Sequence, residues 1–356
     1  MKGLKKKRLD ELIRYYAGEI MEKSVKYRFE HDIYEWMKYH RLQSVYDDFV
    51  LNSYQLISDE DRDFFVNQQN EDKKKAEMQL RILNKVISKF ENHGVQYILL
   101  KGNGIANSYY HQPWHRQFDD IDILIDYSDS PKAVKAVQEL GYVQGWYWKG
   151  RIRQATRAEI LHQQLFTHEL FNMVKMYGSY ESNIDINHKF GWLGTDGEKY
   201  KKLKFAYLYS MKKVIDIGQK QYFVFDDNLN FIHLCCHYYN GAVYFALDPD
   251  YKNDDPCELK LNRIFDIVIL LDKIDKNVVK QLVCEFGVEN EVKYVITIIK
   301  EITGNQYGFD AYNLDDSEMN FFYSKSLKKM NWPISVETRL YDIDKKDKCI
   351  QKMNMD

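Results

Sequence analysis

Val95-Gln96-Tyr97-Ile98-Leu99-Leu100-Lys101-Gly102-Asn103-Gly104 and, further on, Asp119-Asp120-Ile121-Asp122-Ile123-Leu124-Ile125 are the stretch on which the reading of the fold turns. The first six residues are a short apolar run rich in strand formers. Lys101 and two glycines follow at once, then a brief helical stretch to Tyr110. A polar, aromatic loop, His111 to Phe118, carries Pro113 and Arg116 and leads to a second strand, Ile121 to Ile125. Side chains alternate along a strand, so Asp120 and Asp122 share one face while Ile121 and Ile123 take the other. By strand rise the two acids stand about 7 Å apart. Hard cations such as Mg²⁺ take oxygen ligands and share them with substrate phosphates, which suits such a pair.

Ile184-Asp185-Ile186 repeats the pattern of an acid between two β-branched residues. If that strand pairs beside the first, three carboxylates converge, and their repulsion calls for a bound cation. A strand ending in Lys101-Gly102-Asn103-Gly104 and opening a helix offers backbone N–H groups and a positive helix end to a phosphate. Lys101 and Arg116 bring charge to neutralise the rest of a triphosphate. Aspartates at a strand start and glycine pairs in turns also occur with no ligand at all. The combination, rather than any one element, favours a phosphate-and-metal site.

Upstream, the first ninety residues read as helices. Ala76, Leu80, Leu83, Ile87 and Phe90 step by four and three along one helix face, which Asn92 and Gly94 close. Downstream, Ser130-Pro131 opens a helix that Gly141 ends. Strand-like pieces are expected near Tyr142–Trp148, Ile160–Thr167 and Asn183–His188. Helices return after Asp226, and Asp226 or Asp227 can cap one that runs through Cys236 to Asn240-Gly241. Leu261–Leu271 and Glu289–Ile302 are further helices. The expected class is α/β (α+β): a mixed-sheet core at 93–225, an N-terminal helical region at 1–92, and a helical region and tail at 226–356.

Other chemistry is weaker. Gly102-x-Gly104 with an acid about twenty residues on brushes a dinucleotide fingerprint. However, Asn107 stands at the third glycine position, the helix is too short, and the acids open the second strand rather than end it. No P-loop occurs. His233-x-x-x-His237 has zinc-compatible spacing, yet Leu234 stands where a metalloprotease carries Glu, so a structural or substrate-facing pair is the expectation. His188, close after the third acid, is a further substrate-facing candidate.

Lys+Arg number 51 against 53 Asp+Glu, a formal charge of −2, so no chain-wide basic field draws the protein to nucleic acid. The five cysteines (Cys235, Cys236, Cys257, Cys284 and Cys349) are odd in number and lack C-x-x-C, which fits a reducing compartment. Asp10 and Glu11 fall where a signal peptide would turn apolar. No window approaches a membrane span. A soluble, cytoplasmic protein is expected.

The residues Leu99-Leu100-Lys101-Gly102, Arg116 and Asp120-Ile121-Asp122-Ile123-Leu124-Ile125 resemble bacterial nucleotidyltransferase family proteins of the DNA polymerase β superfamily. Leu140-Gly141-Tyr142, Ile184–His188, Leu234–His237 and Arg263–Ile267 match later features, so the resemblance spans roughly 80–275. It implies a polymerase β-like core and attack of an acceptor hydroxyl on the α-phosphorus of an NTP, releasing pyrophosphate. Two Mg²⁺ (or Mn²⁺) ions would serve that displacement. Asp120 and Asp122 would hold both, and Asp185 would complete the nucleophile-side ion and take the acceptor proton. Lys101, Gly102, Asn103, Gly104 and Arg116 would bind the nucleotide. The implied partners are an NTP and a hydroxyl acceptor, a small molecule or a protein, with no membrane.

Gly102-Asn103 stands where the superfamily carries Gly-Ser or Gly-Gly. That departure keeps a second class open, a nucleotide-binding regulatory module without turnover. A third, an RNA-modifying transferase, needs a local basic patch that the net charge does not advertise.

Overall fold

Alternation decides which way the central strands face. In the computed structural model, which describes residues 2–19, 23–191, 203–244, 259–305, 307–312, 314–323 and 328–353, eight strands form one mixed sheet. They are β1 (Tyr97–Leu99), β2 (Asp120–Ile125), β3 (Val143–Trp148), β4 (Arg151–Gln154), β5 (Met173–Tyr177), β6 (Tyr180–Asn187), β7 (Lys212–Ile217) and β8 (Lys220–Phe225). Their spatial order is β4-β3-β5-β6-β2-β1-β8-β7. β2 runs parallel to β6 and antiparallel to β1, while β8 runs parallel to β1.

Ile121, Ile123 and Ile125 of β2 and Ile184 and Ile186 of β6 point into one core. Ile82, Leu83, Val86, Ile87 and Phe90 meet them from the helix Asp59–Asn92, and Ala133, Ala136 and Val137 from the helix Ser130–Gln138. The even-numbered acids of β2 therefore emerge on the opposite sheet face.

Two expectations are corrected. Ile160–Thr167 is no strand: Arg157–Phe166 is a helix. A capping box starts it, with the Glu159 N–H donating to Thr156 Oγ1 and the Thr156 N–H donating to the Glu159 carboxylate. The N-terminal region is not purely helical either, because Lys23–Lys26 pairs in parallel with Tyr54–Leu56. The helix expected from Ala76 begins earlier, at Asp59, where Ser58 Oγ accepts the Asp61 N–H.

The chain forms two compact units, one of them Asn67–Asn230. The other joins the described residues up to Val66 with those from Phe231 onward. Within it His40, fully buried, links distant chain segments: its Nε2 bonds the Leu340 carbonyl at 2.9 Å and its Nδ1 accepts the Leu261 N–H at 3.2 Å. The Trp36 indole donates to the same carbonyl. Cys235, Cys236, Cys284 and Cys349 are free thiols, and Cys257 lies outside the described residues. No helix among the described residues is long and apolar enough to cross a membrane.

Candidate functional site

The β2–β6 pairing sets Asp122 directly opposite Asp185, one step from Ile121 opposite Ile184. Asp120, two residues before Asp122, shares their face. One oxygen from each of Asp120, Asp122 and Asp185 lies within 4.8 Å of the other two. Asp122 is buried, and the other two are half-buried. Lys101 approaches from the end of β1, its Nζ 2.7 Å from Asp122 Oδ1.

Loss of hydration pushes the Asp185 carboxyl well above the ordinary carboxylate range, and the charges of Asp120, Glu169 and Asp122 push it further. Lys101 opposes the rise. Glu169 carries no motif in the sequence, and the site gains it through pairing. It bridges Asn187 in antiparallel fashion, and the Leu170 N–H donates to the Ile186 carbonyl at 2.8 Å. Bridged residues share a face, and Asn187 shares its face with Asp185, so Glu169 joins the acidic face. Gln163 Nε2 holds it at 2.9 Å. Burial, against the opposing pull of Lys101 and with the help of Asp122 and Asp120, pushes its carboxyl up to about 7.

The glycine turn abuts this cluster. The Leu100 N–H donates to the Asp122 carbonyl at 3.0 Å, and Gly102 then breaks the helical path with φ +35° and ψ −109°. A Cβ there would stand 3.2 Å from Phe118 Cδ2 and 3.4 Å from the Asp120 carbonyl oxygen, so only glycine fits the turn. Gly104 is buried against Leu99 O and Val224. Asn103 is buried, and its Nδ2 has no hydrogen-bond partner in the protein.

The other candidates have surroundings of their own. Arg116 is buried after the turn Pro113–His115, and its guanidinium donates to the Gln117 carbonyl. His188 follows β6, buried, with its ring edge-on to Tyr127 at 5.1 Å. Burial, then Lys189, pushes its pKa down to about 4, which keeps the imidazole neutral. His233 and His237 belong to the other compact unit, on the helix Asp227–Tyr244, His233 buried and His237 half-buried.

A family model described as uncharacterised nucleotidyltransferase matches residues 31–304. The chain belongs to that family. The resemblance carried by Leu99–Gly102 and Asp120–Ile125 is thereby borne out, and the protein is by class a nucleotidyltransferase. The family match also reaches well beyond the sheet, into helices on both sides of it.

No curated protein matches the sequence. Among solved structures, the antibiotic-resistance factor ANT(2'')-Ia in solution is similar at 12% identity over 59% of this chain and 91% of its own, with a TM-score of 0.34. Its crystal structure in complex with adenylyl-2''-tobramycin gives 11% identity, 59% and 97% coverage, and a TM-score of 0.35. An antigenic nucleotidyltransferase-like protein from Paracoccidioides brasiliensis gives 9%, 67%, 94% and 0.38. Likeness this remote carries no argument about substrate or mechanism.

Proposed function

We propose that this nucleotidyltransferase moves an NMP from an NTP to a hydroxyl acceptor, a small molecule or a protein, releasing pyrophosphate. The observation that carries the proposal is the convergence of Asp120, Asp122 and Asp185 oxygens within 4.8 Å on one sheet face beside the glycine turn. The residues fit a hard divalent cation. They are all-oxygen donors, and the charges of Asp120, Glu169 and Asp122, which add to the effect of burial on Asp185, are ones a cation would offset. Asp120 and Asp122 would hold two Mg²⁺ or Mn²⁺ ions, with Asp185 completing one of them. Bound there, such ions supply positive charge to the reacting phosphate oxygens and make the acceptor hydroxyl easier to deprotonate.

The chain's own groups do the rest. The turn Gly102-Asn103-Gly104 presents backbone N–H groups to the triphosphate, which glycine allows to approach closely. Lys101, 2.7 Å from Asp122 and next in sequence to the turn, would add positive charge for the triphosphate. Asp185, beside the nucleophile-side ion, would take the acceptor proton as general base.

The test is mass spectrometry of cell extract incubated with the protein, Mg²⁺ and α-labelled NTPs. A transferred nucleotide mass that Asp122→Asn abolishes is expected. No transferred mass and no pyrophosphate from any of the four NTPs would defeat the proposal. One observation favours a second reading, a nucleotide-binding module without turnover. The Lys101 ammonium already neutralises Asp122. Calorimetry showing tight NTP binding without pyrophosphate release would select that reading.

A further inference from the structure

On the flank of the glycine turn lies a cavity of about 100 Å³ within the unit Asn67–Asn230. Leu80 of the long helix, Ala106 of the helix Lys101–Tyr109, and Pro113, Trp114 and Phe118 of the following loop make its apolar walls. The loop is fastened to the long helix by Gln79 Nε2 on the Phe118 carbonyl, by Gln117 Nε2 on Asp72, and by Lys75 on Asp119. The cavity is therefore built into the fold. Asn103 enters the lining with its Nδ2 buried and unpartnered in the protein. Asn107 Nδ2, the neighbouring amide, already donates to the Asn103 carbonyl.

We propose that this cavity binds one flat, uncharged ring that presents a hydrogen-bond acceptor at its edge. The volume admits a single ring and not a whole ligand, whose pockets run from roughly 300 Å³. The apolar walls and the two aromatic rings favour a planar, neutral group. Opposite charges at the rim, Lys73 (its ammonium 5.3 Å from the Trp114 ring centroid) and Glu77, select neither sign. Leaving a buried amide donor without a partner is unfavourable, so the Asn103 donor asks for an acceptor atom. A nucleobase and an aromatic acceptor share this chemistry. The binding itself goes beyond the proposed function; only the choice between those two sources rests on it.

The full chain is followed by methyl and side-chain amide NMR, with uridine, adenosine, benzamide and inorganic tripolyphosphate as separate probes. At least one ring probe is expected to shift the Ala106 methyl and the Asn103 amide, and tripolyphosphate to leave the Ala106 methyl unmoved. Ala76→Leu, on a half-buried helical position at the cavity, should weaken that binding at least tenfold. Ala106→Leu, on the helix Lys101–Tyr109, should do the same. Nucleosides acting alone identify the nucleotide's base as the occupant, and benzamide alone identifies an aromatic acceptor. No shift from any ring, as when water alone serves Asn103, overturns the proposal. So does equal binding by folded Ala76→Leu or Ala106→Leu protein.

Discussion

Lys101 Nζ stands 2.7 Å from Asp122 Oδ1, a cation supplied by the chain to its own carboxylate cluster. Removing the two partners should therefore have opposite effects. Lys101→Met leaves Asp120, Asp122, Asp185 and Glu169 without their internal counter-charge. The metal-free protein should lose about 3–5 kcal/mol, and saturating Mn²⁺ should narrow that gap. Asp122→Asn reduces the crowding of like charge and leaves Lys101 the other acids as neighbours. Its metal-free melting temperature should hold or rise slightly, while its shift with Mg²⁺ plus NTP disappears. Thermal melts of the two variants with and without metal check both signs, and a destabilised Asp122→Asn would speak for a purely structural ion pair.

Gly102→Ala should be worse than Gly104→Ala. At Gly102 an added methyl meets Phe118 and the Asp120 carbonyl from a backbone at φ +35°, a region that L residues rarely enter. About 1–3 kcal/mol is the expected loss, together with NTP binding. Gly104 carries no positive φ, and its neighbours Leu99 O and Val224 Cγ1, at 3.2 and 3.3 Å, must give only by a few tenths of an ångström. Urea unfolding of the pair provides the comparison.

Protonation of His40 should destabilise the fold. Its Nδ1 accepts the Leu261 N–H, so the ring's single proton sits on Nε2, facing the Leu340 carbonyl. Burial holds its pKa well below the usual histidine range. The folded pKa lies below the unfolded value of about 6.5, so the unfolded chain binds more protons in between. This contribution is complete above pH ~6.5 and is lost as pH falls, by up to about 1.4 kcal/mol per pH unit. Wild-type melting should drop between pH 7.5 and 5 more steeply than that of His40→Gln. Parallel slopes would remove His40 as the cause.

Thr156→Ala should act locally. The helix Arg157–Phe166 buries none of its side chains, so its start depends on the capping box with Glu159. Loss of the cap costs about 1 kcal/mol, felt as faster amide exchange across that helix with little change in global melting. Gln163, which holds Glu169, rides on the same helix. Turnover should therefore fall more than stability does.

What the sequence alone determined is local and periodic. The two-residue alternation through Asp120–Ile125 and Ile184–Ile186 set acids on one face and isoleucines on the other, whatever the strands paired with. The glycine turn at Gly102 announced itself because a strand must end before a helix can begin. The same kind of reasoning misread Ile160–Thr167, where apolar residues suit either period and the cap at Thr156 decides. Only the tertiary structure decided that Asp185 lies opposite Asp122, that Lys101 reaches Asp122, and that Glu169 joins the acidic face through its bridge to Asn187. It also decided that His40 meets Leu340, three hundred residues on. Partners of this kind are chosen by which strands and segments pair across the chain. That choice is fixed by the burial of whole faces, and no short window of residues contains it.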